Sequence, residues 1–375
     1  MKRTAVIMAG GTGERFWPLS RKHRPKQLLY LTNENKMMLE EAIERISSII
    51  APEDIFIITS VTLLEPIRRA IPVIPAENIV AEPLKRNTAP CLALAAAFIA
   101  ERYSGMGFEP KDISISVLTA DHSIHPKEAF AATVLSILEY VETNPVLATI
   151  GVIPNRPETG YGYIEIEKRI EKSVSETHII PVMKFHEKPD YATALHFVKD
   201  GRHLWNSGMF FWRCDTFEAS MLKCLPEVGN GISKMREKYK RQTAKTLDSY
   251  LESAFEIFEK FPNISIDYGL MEKADNVVVA SASFEWDDIG SFDSLERIRT
   301  KDSAGNISQG NVILTDSSNS IIINSSDKMI VSLLGMEDVV VITTEDAVMI
   351  CPKNRVQEVR KSVDSVRNKF EGKWL

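Results

Sequence analysis

Thr4-Ala5-Val6-Ile7-Met8-Ala9-Gly10-Gly11-Thr12-Gly13-Glu14-Arg15, with Pro25-Lys26 close behind, is the stretch on which the fold turns. A short apolar run feeds a loop with three glycines, and two cations follow within reach. Glycine lacks a Cβ, so backbone N–H groups can approach an anion closely. Arg15 and Lys26 supply the positive charge that a polyphosphate needs. The stretch reads as a nucleotide site at the end of a first β-strand. A dinucleotide fingerprint needs a third glycine three residues after the second, and Phe16 stands there instead, which counts against an NAD-linked oxidoreductase. A Walker A loop closes on Gly-Lys-Ser/Thr, which is missing here. A plain strand-to-helix turn is the weaker reading for a loop so rich in glycine and backed by Arg15.

Outward from the loop, apolar residues recur at helical spacing over 38–50 (Met38, Ala42, Ile46, Ile49), and Ile55 to Ile58 reads as a strand. Ala89 to Ala100 is an Ala/Leu-rich helix, Ile113 to Leu118 a strand ending at Thr119-Ala120-Asp121-His122, 127–142 a helix and 146–152 a strand. This alternation predicts an α/β fold, a Rossmann-like, parallel, doubly wound sheet. Ligands of such sheets bind at the carboxyl ends of strands, where the glycine loop and Asp121 both fall. From about residue 300 the texture changes to short apolar runs nine or ten residues apart, separated by turns such as Asp316-Ser317-Ser318-Asn319. This predicts an all-β module, a small solenoid or a sandwich. Val356, Val359, Val363, Val366 and Phe370 then mark an amphipathic terminal helix. Apolar positions in this tail suit either a homodimer contact or packing on the main sheet. The expected domains are 1–300 and 301–375.

The 375 residues suffice for two or three domains. A net charge of −6 without a long basic run argues against a nucleic-acid binder. Four scattered cysteines without a CxxC pair read as reduced thiols of a cytoplasmic protein. The N-terminal apolar run is too short for a signal peptide, and no stretch is long enough to span a membrane.

Several segments carry candidate chemistry. Glu82 to Pro90 precedes the Ala-rich helix. Its polar groups could bond a base edge, or Asn87 or Thr88 could cap the helix with Pro90 in its first turn, and the two are compatible. Asp121 and Trp286-Asp287-Asp288 are acidic sites far apart in sequence, able with substrate phosphates to hold a hard cation such as Mg²⁺. His122 and His125 lack the further ligands a zinc site requires. Thr159 to Glu165 pairs glycines with tyrosines, suiting either a sugar or a hairpin. Glu187-Lys188 suits a ligand or a surface ion pair. Trp205 to Phe211 sets Asn206 and Gly208 before an apolar strand.

In this order, the segments resemble the mannose-1-phosphate guanylyltransferase family of sugar nucleotidyltransferases. The matching runs are Gly10 to Ser20, Pro25 to Gln27, Glu82 to Pro90, Ala120 to His122, Thr159 to Glu165, Glu187 to Pro189, Trp205 to Phe211, Ser265 to Glu272 and Trp286 to Ser291. The glycine loop marks the wide superfamily; Glu82 to Pro90 and Ser265 to Glu272 are narrower. Thr119 stands where the family commonly has Pro. The resemblance implies a mixed nucleotidyltransferase sheet, a short left-handed β-helix and a terminal helix. It implies GTP and mannose 1-phosphate as substrates, Mg²⁺ as cofactor, and GDP-mannose and pyrophosphate as products. It assigns catalysis to Arg15, Lys26, Asp121 and Asp288, with Mg²⁺ on Asp121 and Asp288. Nucleotide contacts fall to Ala9, Gly10, Gly11, Thr12, Gly13, Glu82, Arg86, Asn87, Thr88 and Asp121. Sugar-phosphate contacts fall to Tyr161, Gly162, Glu187, Lys188, Asn206 and Gly208. A single-function form is expected: all seven histidines lie at or before His203, so the tail to residue 375 holds no histidine-ligated isomerase site.

Overall fold

The structure, a computed structural model, describes residues 1–169 and 177–375. Strand β1 (Lys2–Met8) lies between β2 (Ile55–Ser60) and β4 (Ile113–Thr119), parallel to both, and β3 (Ile79–Glu82) extends this half parallel to β2. Beyond β5 (Ser123–His125), the other half contains β6 (Leu147–Val152), β7 (Gly162–Ile166), β8 (Ile179–Glu187), β9 (His203–Arg213) and β10 (Val277–Ser281). The nine-stranded order is β3-β2-β1-β4-β9-β6-β10-β8-β7. Because β9 runs antiparallel to β4 and β6, the sheet is mixed and not the parallel one that the strand–helix alternation predicts.

Alternation along β1 shows how the two faces are filled. Val6 points into a core with the helix Thr88–Ser104, while Ala5 and Ile7 point into one with the helices Met38–Ser47 and Lys127–Thr143. Period-two side chains buried on both faces are what a sheet covered by helices on either side demands. Three helices without an expectation from sequence, Cys214–Cys224, Pro226–Lys240 and Leu247–Phe258, pack outside Thr88–Ser104 and bury that helix almost all round. Asn206 and Gly208 lie within β9 rather than ahead of it.

A short antiparallel ribbon lies off the main sheet. It joins β5 to β11 (Glu285–Asp287), with Ser123 opposite Asp287 and Ile124 opposite Trp286. Continuing that register by one residue sets His122 opposite Asp288. The ribbon thus brings the end of β4 to the second acidic site.

The tail contains β12 (Ile307–Gln309), β13 (Val312–Thr315), β14 (Ile321–Asn324), β15 (Val331–Leu334), β16 (Val339–Thr343) and β17 (Val348–Pro352). Strands β12, β14 and β16 stack in parallel, as do β13 and β15. Ile321 pairs with Val340 and Val312 with Val331, offsets of 19 residues, while Ile307 pairs with Ile321 at an offset of 14; each coil takes in two of the short apolar runs. This is a β-helix and decides against the sandwich. Its inner residues Ile307, Ile321 and Val340 share one core with Phe16, Trp17, Ile289 and Phe292, and with Val356, Val359 and Val363 of the terminal segment. The terminal helix therefore packs on the glycine-loop side of the α/β unit, tied by the Glu14–Arg367 ion pair at 2.8 Å. Phe370 stays exposed. All four cysteines are free. Among the described residues, no helix is long and apolar enough to cross a membrane.

Candidate active site

The site is assembled at the carboxyl ends of β1, β3 and β4. The loop after β1 is shaped by Gly13, whose φ of 65° lies in the left-handed region; a Cβ there would fall 2.5 Å from Lys26 Cβ. Glycine thus serves both the turn and the approach of the Lys26 segment. Around Gly11 nothing lies within 4 Å of a Cβ position, so the loop is open on that side, and Thr12 is exposed. Ala9 has its carbonyl occupied, accepting from Gln27 Nε2 at 2.7 Å and from Thr59 Oγ1 at 2.9 Å.

Lys26 is buried, and its ammonium bridges the two acidic sites. Nζ lies 2.9 Å from Asp121 Oδ2 and donates to the Asp288 carbonyl at 2.6 Å. Burial alone would raise the Asp121 pKa, but Lys26 and His122 outweigh it and hold the carboxyl below its usual range. Burial holds His122 below its usual value, which favours the neutral ring. Trp286 Nε1 donates to His122 Nδ1 at 3.0 Å, leaving Nε2 to carry the proton on the side of Asp121. Tyr161 donates its hydroxyl to Asp288 Oδ1 at 2.5 Å, and burial followed by the Asp288 charge raises the phenol pKa. Arg15 reaches toward the same turn, with Nη1 3.5 Å from the Gly290 carbonyl. Within that turn Ile289 adopts φ 45°, a strained conformation for a β-branched residue. It is held there by complete burial in the core shared with the β-helix.

Asp287 and Asp288, adjacent in sequence, diverge in role. Asp287 is buried and forked by Arg297, with Nη2 2.9 Å from Oδ1, and it accepts from the Ile289 N–H at 2.9 Å. It is a structural anchor. Asp288 faces the cleft, and Lys26 ties its backbone carbonyl to the Asp121 carboxylate, so the two side chains offer an all-oxygen acidic donor set. That set suits a hard divalent cation retaining water and phosphate ligands.

Glu82 ends β3 beside the glycine loop, its Oε1 3.2 Å from where a Gly10 Cβ would be. Its Oε2 is buried without a partner, and burial pushes the carboxyl pKa up to about 7. Asn87, at φ 68°, caps the next helix by accepting from the Thr88 N–H at 2.9 Å, and Thr88 Oγ1 accepts from the Ile266 N–H at 2.8 Å. Arg86 donates instead to the Glu259 carbonyl at 2.8 Å. Its guanidinium is thus committed to the helical layer.

A cavity of about 240 Å³ adjoins this cleft, lined among others by Thr88, Tyr161, Gly162, Glu187, Asn206 and Gly208. A Cβ on Gly162 would lie 2.6 Å from Glu187 Oε2, so glycine is what admits that carboxylate. Glu187 contacts the mostly exposed Lys188 at the cavity rim, and this contact raises the lysine pKa. Asn206 Nδ2 donates to Asp267 Oδ1 at 2.8 Å. Burial, then the Glu187 charge, pushes the Asp267 carboxyl up. Asp267, His122 and Trp286 line the cavity and had no assigned role from sequence. Each nevertheless falls in a run that carries the resemblance: Ala120 to His122, Ser265 to Glu272 and Trp286 to Ser291.

A family model described as nucleotidyl transferase matches residues 4–305, and one described as MannoseP isomerase/GMP-like beta-helix domain matches 310–366. A mannose-1-phosphate guanylyltransferase of Salmonella montevideo is 35% identical over 320 residues, covering 84% of this chain and 64% of that protein. Mannose-1-phosphate guanylyltransferase RfbM of Salmonella typhimurium is 38% identical over 311 residues, covering 82% of this chain and 61% of its own length. The chain thus spans under two thirds of these curated relatives. A crystal structure from Thermus thermophilus, described as mannose-1-phosphate geranyltransferase, superposes with a TM-score of 0.82 at 32% identity, covering 98% of this chain and all of that one.

Proposed function

We propose, because this chain belongs to the nucleotidyl transferase family, that it transfers GMP from GTP to α-D-mannose 1-phosphate, releasing pyrophosphate and forming GDP-mannose. The observation that carries this reading is Lys26, whose one ammonium joins Asp121 to the Asp288 turn between an open glycine loop and a polar cavity. The curated relatives' names supply the substrates.

The sugar phosphate is ionised near neutral pH, so its oxygen needs no general base. That oxygen forms a bond to the α-phosphorus as the bond to the β-bridging oxygen breaks, and the electron pair leaves with pyrophosphate. The protein's task is positioning and charge compensation. The amides of Gly10 and Gly11 face the triphosphate, Arg15 compensates charge on the leaving pyrophosphate, and Lys26 does so at the reacting phosphate. Asp121 and Asp288 would hold Mg²⁺, which when bound neutralises phosphate oxygens. Tyr161 orients the Asp288 carboxylate from behind, and Lys26 holds that of Asp121. Glu187, Asn206 and the backbone of Gly162 and Gly208 face mannose hydroxyls, and Lys188 its phosphate. Glu82 supports guanine as the base. When ionised, its carboxylate, beside the glycine loop, is of the kind that accepts from the adjacent N1–H and N2–H donors of guanine, whereas adenine presents a bare N1 there. The free thiols support a reducing, cytoplasmic setting.

The test is pyrophosphate release from purified protein with Mg²⁺, four nucleoside triphosphates and a panel of hexose 1-phosphates. GTP with mannose 1-phosphate is expected to give the highest kcat/KM. A higher value for another pair would reassign the substrates, and no release with any pair would remove the catalytic reading.

A further inference from the structure

Away from the cleft, three neighbouring strands each bring one metal-binding side chain to a common point. Glu165 stands on β7, His186 on β8 and His203 at the start of β9, and one ligand atom from each lies within 4.8 Å of the others. The sheet register explains the convergence. Glu165 pairs directly with His203 across β7 and β9, and His186 lies diagonal to it across β7 and β8. His186 Nε2 is 2.9 Å and His203 Nε2 4.0 Å from the same carboxylate oxygen, Glu165 Oε2. Among the described residues this is the single group of three such side chains with that geometry.

An independent observation concerns His203. Its side chain is 4% exposed, and the Phe197 ring stacks on it at 3.8 Å. Nδ1 is 3.0 Å from Asp200 Oδ1, but Nε2 is buried with no hydrogen-bond partner. With Nδ1–H donated to Asp200, the neutral ring turns a bare lone pair on Nε2 toward the Glu165 carboxylate. Glu165 Oε2 already has His186 Nε2 at hydrogen-bond distance, 2.9 Å, but nothing donates to His203 Nε2, and a cation among the three gives that lone pair a partner too. An imidazolium bridging Asp200 and Glu165 is the other way to fill the gap, and 4.0 Å is too long for its hydrogen bond. Carboxylate–histidine–metal is the arrangement that fixes a ligating imidazole's tautomer and orientation.

We propose that Glu165, His186 and His203 form a site for a divalent first-row transition ion of the zinc class, oriented by Asp200. Two imidazole nitrogens and one carboxylate oxygen favour zinc over magnesium. Bond lengths of about 2.0–2.2 Å in a tetrahedral site put ligand atoms roughly 3.4 Å apart, a separation that the observed 2.9 Å and 4.0 Å bracket. Glu165 and His186 are partly exposed, which leaves the fourth position open to water. An ion there would clamp β7, β8 and β9, the strands that also carry Gly162, Glu187 and Asn206. The proposal stands whether or not the substrates named above are right.

The full chain, stripped with a chelator, is titrated with Zn²⁺ by calorimetry and with Co²⁺ by visible absorption. One tight equivalent is expected, with the intense Co²⁺ bands of a low-coordinate nitrogen-ligated ion. It should persist in the Asp121→Asn/Asp288→Asn double variant, which separates it from the catalytic carboxylates. It should be lost in Glu165→Gln and His186→Gln, and Asp200→Asn should weaken it by about 10–100-fold. His186→Gln is the decisive variant because its partly exposed side chain can change while the metal-free circular dichroism and Tm remain those of the parent. No stoichiometric binding by the parent chain, undiminished binding by folded His186→Gln, or loss of binding in the double aspartate variant would each overturn the proposal.

Discussion

The two acidic regions of the cleft are built on opposite principles. At Asp121 and Asp288 the carboxylates are partnered by Lys26 and Tyr161, and Asp121 is held below its usual pKa. At Glu82 and Asp267 burial dominates, both pKa values rise, and Glu82 keeps an oxygen with no partner. The first region is organised before any ligand arrives; the second spends stability on a buried carboxyl oxygen left without a partner. Preorganised charge suits the end where bonds change, because no reorganisation is then needed at the moment of reaction. An unsatisfied acceptor suits the end where molecules are told apart, because a ligand without the matching donor leaves it unpaired.

The contrast can be broken at its strongest point. Asp288→Asn should lower kcat by about 10²–10³-fold while Tm stays near the parent's, since the substitution acts on charge at the reacting end. Parental pyrophosphate release at saturating Mg²⁺ would show that Asp288 is not part of the machinery. Glu82→Gln probes the other end. A carboxyl whose folded pKa of about 7 lies above its unfolded value stabilises the fold fully below the unfolded pKa and loses that contribution as pH rises through 7. The parent should therefore lose about 2–3 kcal/mol more than Glu82→Gln between about pH 5 and pH 8 without ligand. The same variant should lose discrimination for GTP over ATP. Parallel pH–stability curves from denaturant melts would contradict the assignment.

Asp287→Ala sharpens the division between neighbours. It should destabilise the fold by about 2 kcal/mol, less than a fully buried pair because Arg297 is partly exposed. The measurement is the denaturation midpoint, and an unchanged one would deny Asp287 its anchoring role. Lys188→Ala, at the exposed rim, should raise KM for mannose 1-phosphate about tenfold with kcat nearly kept, as expected for a contact present in ground and transition states alike. A parental KM would move the sugar phosphate elsewhere. Arg86→Ala should change stability by no more than about 0.5 kcal/mol and leave GTP use intact, because its guanidinium already serves the Glu259 carbonyl. A large rise in KM for GTP would restore it to the nucleotide contacts.

Much of this was legible before folding. Period-two and period-3.6 patterns of apolar residues mark β1, β2, β4, β6 and the helices that flank them, because burial on a sheet face or a helix stripe is written one residue at a time. The glycine loop was legible because only glycine permits the Gly13 turn beside Lys26. The three-residue strands β5 and β11 were not, since so short a run carries no periodic signal. Their pairing is nevertheless what sets His122 opposite Asp288. Nor was the convergence of Glu165, His186 and His203 legible; these are ordinary strand residues until three strands are laid side by side.

Residue order thus determined the alternating sheet, the loop chemistry and the repeating tail, all of them properties of neighbours along the chain. Tertiary structure decided which of two adjacent aspartates faces the cleft, which arginine is free, and which carboxylate is left unpartnered. Those outcomes depend on groups hundreds of residues apart sharing one desolvated space, and on a turn at Ile289 held in strain by a core that the β-helix completes.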